Sequence, residues 1–444
     1  MTSVIKIPKC YLLNFLVLIM ILLVSGCGSG TETAGGPSLS SPPNAEYLPV
    51  GDGTQDLQVT REIHVAPGKI YAYKNVNIHG GKLIFDDVAT EAEAGSWVSS
   101  AFNRFRVLWR GTADKTETHF WAKSILVENG GSLIAGTEDF PFQSILVIHL
   151  YGSNTDREGI TCRTNDAPRT YCGVPADKWA GHDDFFHYEK LPDEMLTNAS
   201  LAFFGRKVLG VSYGGTLQLF GKKGMTKGSL MISDPDNMAS VSGTSWTRLD
   251  GTAGDTVITL DRTVDWEAGD SIVVTTTDFL PGHSEQRQIA DMTVSGGKSV
   301  ITLTAGLSYP HNSKAYDLTP YHLAAQDITR KTVETRAAVA LLTRNIRIVS
   351  AGNSIGDAAL PDAVSADTNR YFGGHTIIRQ GFAKVQIQGV EFYQMGQGGM
   401  LARSPLQFHG VYDAPADTFV RDCSVHDSMT RWIELRGAKN LLLE

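Results

Sequence analysis

The sequence has little charge, few cysteines and no excess of basic residues. Charged residues make up only 19% of the 444 residues while 42% are hydrophobic, which excludes an intrinsically disordered chain. Basic residues number 39 against 47 acidic ones, so the basic surface typical of nucleic-acid-binding proteins is missing. We therefore expect a globular protein with no nucleic acid among its partners.

Metal-site spacings and long helical patterns are also missing. No CxxC or HxxxH spacing occurs, so the sequence does not support a zinc site, and no EF-hand spacing is present. Segments with 3.6-residue periodicity are few, whereas 45 glycines and 17 prolines accompany many short runs of Val, Ile and Thr. This pattern excludes a helix bundle and predicts an all-β chain with many turns.

The first 27 residues have the features of a secretion signal. Two lysines precede an apolar run, and residues 24–27, Val-Ser-Gly-Cys, are similar to a bacterial lipobox. We expect the signal to be removed and Cys27 to be lipidated, which would anchor the protein in the outer membrane or at the cell surface. A membrane-spanning anchor is the alternative, although the apolar run is short for a bilayer. Residues 28–46 are typical of a flexible linker.

Three cysteines follow the signal. Cys162 and Cys172 lie in a polar stretch of a chain that we expect in an oxidising compartment. We expect a disulfide between them, with two free thiols as the alternative. Cys423 lies among apolar residues and is expected to be a buried strand residue.

Short strands separated by glycine pairs recur along the chain. Gly80-Gly81, Gly130-Gly131 and Gly214-Gly215 each stand between two apolar segments, where a glycine with positive φ lets the chain turn a corner. The recurrence predicts stacked coils rather than a sandwich. Strands after residue 336 predict successive rungs of a right-handed parallel β-helix. The chain ends on the apolar strand 441–443 without a polar cap, so we expect a longer protein.

Several motifs, in a fixed order, resemble those of the G8 domain family. They are residues 121–133 (WAKSILVENGGSL), 136–142 (GTEDFPF), 204–217, 266–274, 334–346, 372–375 (FGGH) and 395–397 (MGQ). The resemblance covers about residues 47–444. It is to the family of the cell-migration-inducing hyaluronan-binding protein and the transmembrane cell-surface hyaluronidase.

The resemblance implies an architecture and a ligand class. We expect a G8 domain at 47–250 with a polar insertion near 153–200, then a β-rich connecting region at 251–335. The first rungs of the parallel β-helix follow at 336–444. The implied ligand is carbohydrate, the activity implied by the animal relatives is hyaluronan depolymerisation, and calcium is the implied metal.

Two neighbouring strands carry the first candidate site residues. In residues 405–409, period-two alternation turns Gln407 and His409 away from the core, and in the next rung it turns Glu434 and Arg436 outward. The pattern resembles that of the family, in which histidine stands at the positions of Gln407 and Arg436. Glutamine can neither grip a metal nor share acid–base work as a paired histidine can.

A second pair of candidates comes from the strands around Glu391 and His426. If Val390 and Val425 occupy equivalent inward positions, Glu391 and His426 stack on one outer face. Together with His409 and Glu434 they would form a single polar strip, across which an extended sugar chain can lie. The other residues that we expect to contact substrate are Arg403, Arg431 and His375.

These observations predict an extracytoplasmic protein that binds an acidic or glucosamine-containing polysaccharide, with depolymerisation as a further activity. The acid and base would be Glu391 or Glu434 with His409 or His426, and arginine would hold a uronate carboxylate. The sequence does not separate hydrolase from lyase chemistry. The alternatives are a non-catalytic carbohydrate-binding adhesin and a purely structural β-helix protein.

Overall fold

The computed structural model describes residues 45–87, 116–153, 204–224, 244–319, 332–357, 372–398, 403–428 and 430–444. The predicted lipidation site Cys27 and the predicted disulfide between Cys162 and Cys172 lie outside these residues. In the described ranges, no helix is long and apolar enough to span a membrane.

The chain winds through successive coils of three short strands each. The first three coils contain β1 (Leu57–Val59), β2 (Glu62–Val65) and β3 (Ile70–Ala72); β4 (Asn75–His79), β5 (Lys82–Phe85) and β6 (Glu117–Ala122); and β7 (Ser124–Glu128), β8 (Ser132–Ala135) and β9 (Ile145–Leu150).

The fourth coil is interrupted by an inserted β-barrel. The coil begins with β10 (Val208–Val211) and β11 (Thr216–Phe220). The insert contains β12 (Trp246–Ala253), β13 (Val257–Leu260), β14 (Ser271–Val274), a 3-10 turn (Pro281–His283), β15 (Glu285–Ser295), β16 (Lys298–Leu303), β17 (Tyr316–Asp317), β18 (Thr332–Val333) and β19 (Ala338–Leu341). The barrel closes in the order β12-β13-β16-β15-β14-β19 around its own core, which includes the buried Trp266.

The remaining coils resume the three-strand pattern. The fourth coil is completed by β20 (Ile346–Ser350), and the next three contain β21 (His375–Arg379), β22 (Lys384–Gln388) and β23 (Val390–Tyr393); β24 (Leu406–Asp413), β25 (Phe419–Arg421) and β26 (Ser424–His426); and β27 (Ile433–Lys439) and β28 (Leu442–Leu443).

Equivalent strands of successive coils pair in parallel and form three sheets. Sheet 1 is β1-β4-β7-β10-β21-β24-β27, sheet 2 is β2-β5-β8-β11-β22-β25-β28, and sheet 3 is β3-β6-β9-β20-β23-β26. The inward side chains stack in register, as in the fully buried column Ile78, Val127, Val211, Ile378 and Phe408. This is a parallel β-helix, which confirms the predicted fold class.

The predicted glycine pairs do occur at corners, and their two members have different tasks. Gly80, Gly130 and Gly214 have φ of +71°, +79° and +72°, which favours glycine. The second glycine of each pair is required for another reason: the backbone of the preceding coil lies too close to leave room for a side chain. A Cβ at Gly131 would lie 2.0 Å from the carbonyl oxygen of Ile78, and one at Gly215 would lie 2.3 Å from that of Val127.

The coils continue through both of the regions that the sequence analysis separated at residue 336. Strands from 57–220 and from 346–443 belong to the same three sheets, and the insert between them is the barrel. Buried ionic contacts anchor the barrel, among them Lys223 Nζ to Asp270 Oδ1 at 2.6 Å. Cys423 directly precedes β26 and is only partly buried against the core. The expectation of a buried strand residue is therefore wrong on both points, although Cys423 does pack against the core.

Candidate functional site

The outer face of sheet 3 carries a column of aromatic, basic and acidic side chains. Strand alternation places Phe120, Ile148, Ile348 and Phe392 in the core and turns their neighbours outward. We call the outward set the sheet 3 strip: His119, Trp121, His149, Arg347, Glu391, Tyr393 and His426. It extends from the second coil to the sixth, about 19 Å at about 4.8 Å per coil.

Glu391 is the buried carboxylate of this strip. The Arg347 guanidinium donates to both of its oxygens, at 3.0 and 2.9 Å, and the backbone N–H of Arg344 donates to Oε2 at 2.9 Å. Burial alone would raise the pKa of Glu391, but His426 and Arg347 hold it below its usual value. Glu391 is therefore ionised at neutral pH, as a buried carboxylate with charged donors should be.

His426 lies beside Glu391 with one ring nitrogen committed and the other not. Its Nδ1 donates to Asp427 Oδ2 at 2.8 Å. Its Nε2 lies 3.4 Å from Glu391 Oε1, without the alignment of a hydrogen bond, and has no hydrogen-bond partner among the described residues. Burial would lower the pKa of His426, but Asp427 and Glu391 raise it to about 9. The ring is therefore protonated at neutral pH, and its Nε2 forms an ion pair with Glu391 while its hydrogen-bonding capacity is not satisfied among the described residues.

The other end of the strip is aromatic. The rings of Trp121 and His149 stack with centroids 3.9 Å apart and planes 3° apart, and His149 Nε2 lies 2.9 Å from His119 Nδ1. Burial, His119 and Arg347 lower the pKa of His149 to about 3, so this ring is uncharged at neutral pH. Aromatic faces next to hydrogen-bonding groups suit sugar rings, which have apolar faces and polar edges.

The outer face of sheet 1 carries a second column, which includes other predicted residues. In each coil it occupies the outward position just before the corner to sheet 2. We call it the corner column: His79, Glu128, Ser212, Arg379, His409 and Arg436. Val211 pairs with both Val127 and Ile378. Extending this register by one residue places Ser212 between Glu128 and Arg379.

His409 is buried between two arginines of the corner column. It pairs with Arg379 on one side and with Arg436 on the other. Burial, Arg379, Arg436 and Arg403 lower its pKa to about 4. At neutral pH the ring is uncharged and lies in a positive field, so it is not a general base matched to that pH.

The predicted orientations of the sheet 1 residues agree with the pairing. Gln407 lies opposite Glu434 and His409 opposite Arg436, while Leu406 and Phe408 are in the core. Gln407 is fully buried, and Glu434 is half-buried and accepts a hydrogen bond from Ser404 Oγ at 3.1 Å. Arg436 and Arg431 are exposed.

His375 and Arg403 hold the segment that leads into β10 against sheet 1. His375 is fully buried, and its Nε2 donates to the carbonyl oxygen of Phe204 at 2.8 Å. Arg403 is also buried and packs its guanidinium against Gly205. The expectation that His375 contacts substrate is therefore corrected, because its ring is an internal anchor whose pKa burial lowers far below the usual value.

The predicted single strip is thus two columns on two sheets. Glu391 and His426 come together on sheet 3, whereas His409 and Glu434 lie on sheet 1. The assumed register was also wrong, because Val425 lies opposite Phe392 and Glu391 lies opposite Ser424. Contact between Glu391 and His426 is diagonal across two coils.

Sequence reasoning missed several residues of these columns, namely Arg347, Tyr393, Arg379, Glu128 and Ser212. Period-two alternation in the adjacent strands was the available signal for all of them. In the described ranges, no group of three or more His, Cys, Asp or Glu side chains could hold a metal ion. Calcium therefore stays a prediction.

Two family models match the chain. The G8 domain model matches residues 58–170 and the CEMIP beta-helix model matches residues 371–444. These ranges contain the first coils with part of the sheet 3 strip, and the last coils with Glu391, His409 and His426. The chain therefore contains a G8 domain and a β-helix of this type, as the motifs predicted.

Curated relatives are similar over part of the chain. Mouse fibrocystin-L is 26% identical over 357 residues, which is 74% of this chain and 7% of that protein. A G8 domain-containing protein of Dictyostelium discoideum is 29% identical over 251 residues, 56% of this chain and 14% of that protein. The mouse cell migration-inducing and hyaluronan-binding protein is 29% identical over 212 residues, 44% of this chain and 14% of that protein. The chain thus spans 14% or less of the length of each.

Proposed function

We propose that this G8 domain-containing protein binds an acidic polysaccharide along the sheet 3 strip, outside the cytoplasm. The observation that carries the proposal is the protonated His426 ring, whose Nε2 is a buried donor without a hydrogen-bond partner in the described structure. Such a donor costs stability unless an acceptor is provided, and a sugar carboxylate or hydroxyl is an acceptor of the right kind.

The arrangement of the strip supports a chain-like ligand. Tyr393 lies against the His426 ring, with centroids 5.1 Å apart, and Arg347 lies over the Tyr393 ring at 5.9 Å. Charged donors therefore alternate with aromatic faces along consecutive coils. One of the similar proteins is named as hyaluronan-binding, and this supports an acidic glycan as the ligand class for the present chain.

Secretion and lipid anchoring form part of the proposal. The apolar leader and the Val-Ser-Gly-Cys motif at 24–27 support export and lipidation at Cys27. A protein held at a membrane surface with its β-helix beyond a flexible linker could reach polysaccharide outside the cell.

Depolymerisation is the second candidate, favoured by the contact between a carboxylate and an imidazolium on one outer face. General acid–base catalysis works best with pKa values near the working pH. The pKa of His426 is raised to about 9 and that of Glu391 is lowered, so both groups are set for binding rather than for proton transfer at neutral pH. We therefore place binding before cleavage, and the non-catalytic adhesin before the hyaluronidase-like enzyme.

The test uses residues 28–444 with hyaluronan, chondroitin and heparosan, with and without calcium. Binding is followed by affinity electrophoresis, chain length by gel filtration, and unsaturated products by ultraviolet absorbance. Retardation without shortening is the expected result. Shortening with new absorbance would identify a lyase, and shortening without it a hydrolase. Absence of binding to every glycan would overturn the proposal and leave a structural β-helix.

A further inference from the structure

The corner column contains two buried polar groups that lack partners and lie side by side in register. Ser212 is completely buried, and its Oγ has no hydrogen-bond partner among the described residues. In the preceding coil, Glu128 Oε2 is likewise buried without a partner. Polar atoms buried without partners cost stability and are uncommon, so two in adjacent coils call for an explanation.

The surroundings of Glu128 show how a ligand could reach this place. Glu128 Oε1 lies 4.0 Å from His79 Nδ1, and the side chains of Glu128 and His79 are 13% and 45% exposed. The His79 ring is held by Asn129, whose Nδ2 donates to His79 Nε2 at 2.9 Å. The column therefore opens to solvent on the His79 side and deepens toward Ser212. Burial raises the pKa of Glu128 to about 7, so its carboxyl is a proton donor on the acidic side of neutrality.

The other side of Ser212 is strongly positive. Arg379 follows Ser212 in the next coil, with its guanidinium 6.0 Å from the Phe204 ring centroid. His409 and Arg436 continue the column. The positive charge of Arg379, Arg403 and Arg436 adds to burial in keeping His409 uncharged, which shows the sign of the field at this end. Anionic oxygen atoms are favoured in such a field.

We propose that Glu128, Ser212 and Arg379 form a second ligand site, which takes the carboxylate of a sugar acid. The Ser212 hydroxyl and the Glu128 carboxyl donate to the carboxylate oxygens, and Arg379 supplies the compensating charge. The ligand class rests on the proposed polysaccharide function. The site itself lies on sheet 1, away from the sheet 3 strip, so the two can be tested separately.

The test measures binding of glucuronate, acetate and N-acetylglucosamine to residues 28–444 by calorimetry. Ser212→Ala is compared with Ser124→Ala, because the Ser124 hydroxyl is also buried without a partner on β7. Both substitutions remove a buried polar group without a partner and should raise the melting temperature slightly. Only Ser212→Ala should weaken glucuronate binding, by about tenfold. Glu128→Leu should weaken it similarly, whereas Glu128→Gln, which keeps a donor, should weaken it less.

The remaining arms separate the alternatives. Glucuronate bound more tightly than acetate, and N-acetylglucosamine not bound, would support a sugar-acid site; equal binding of acetate would show that the site takes any carboxylate and would overturn the sugar-acid assignment. Lys384→Ala, which removes an exposed ion pair on sheet 2 outside both columns, should leave glucuronate binding unchanged. If glucuronate binding were lost in His426→Ala and kept in Ser212→Ala, the second site would be refuted while the proposed function stood. If no variant or wild-type protein bound glucuronate, the second site would fail, and polysaccharide binding to the strip would still be judged by electrophoresis.

Discussion

His426 Nε2 lies 3.4 Å from Glu391 Oε1, while Nδ1 of the same ring donates to Asp427. The two carboxylates keep the ring charged at neutral pH, and Nε2, although ion-paired with Glu391, has no hydrogen-bond partner among the described residues. Because this arrangement joins two coils of sheet 3, the state of the ring should appear both in stability and in ligand binding.

The charge of His426 should make stability fall in alkali. Its pKa is raised to about 9 in the folded protein, above the usual 6.5, so the folded state holds its proton more tightly than the unfolded state. The stabilisation is complete below about pH 6.5 and is lost as pH rises through about 9, by about 3 kcal/mol. Urea unfolding of wild type and His426→Gln between pH 6 and 10 would show this. A wild-type slope equal to that of the variant would contradict it.

Two neutral histidines, the buried His409 and the half-buried His149, should make stability fall in mild acid. The pKa of His409 is lowered to about 4 and that of His149 to about 3. The unfolded chain takes up protons near pH 6.5 and the folded protein does not. The stability is therefore fully present above pH 6.5 and declines as the pH falls from 6.5 to about 4 for His409 and to about 3 for His149. His409→Gln should flatten this decline in acid unfolding curves. An unchanged decline in His409→Gln would contradict this prediction.

The contact between Arg347 and Glu391 should contribute measurably to stability. Arg347→Ala removes the guanidinium that donates to both oxygens of the buried Glu391 carboxylate. We expect a loss of about 2 kcal/mol in the free energy of unfolding. Lys384→Ala is the control, because Lys384 and Asp417 form an exposed ion pair. That change should cost about 0.5 kcal/mol or less. Equal losses in urea unfolding would show that Glu391 is compensated in another way.

The two members of a corner glycine pair should respond differently to alanine. Gly130→Ala forces a side chain to positive φ in open surroundings and should cost about 1 kcal/mol. Gly131→Ala drives a Cβ into the Ile78 carbonyl of the preceding coil and should cost about 3 kcal/mol. Thermal unfolding of the two proteins gives the comparison. A milder effect at Gly131 than at Gly130 would contradict the assignment of the two tasks.

The sequence predicted the architecture better than the site. Glycine pairs and alternating strands are local signals, so they predicted stacked coils and the outward positions of Gln407, His409, Glu434 and Arg436. Assignment of these strands to sheets depends on how many residues each corner uses, which periodicity does not report. His409 and His426 were therefore placed on one strip although they lie on different sheets.

Burial was the second quantity that sequence patterns could not supply. The His375 side chain is directed away from the core but is not exposed, because the segment around Phe204 covers it. The carbonyl oxygen of Phe204 accepts its hydrogen bond. The same segment also packs closely against Gly210 on β10, since a Cβ at this position would lie 2.8 Å from the Phe204 ring. The covering segment is far from His375 in sequence, so only the folded structure reveals the pair.

The most direct test of the central claim is the affinity of residues 28–444 for an immobilised acidic glycan at pH 7, compared among wild type, His426→Ala and His283→Ala. We expect His426→Ala to lose about tenfold or more in affinity, since it removes a charged hydrogen-bond donor. His283→Ala, the control on the inserted barrel and outside both columns, should leave polymer affinity within about twofold of wild type. Unchanged affinity in His426→Ala, with the fold intact by circular dichroism, would contradict binding at the sheet 3 strip.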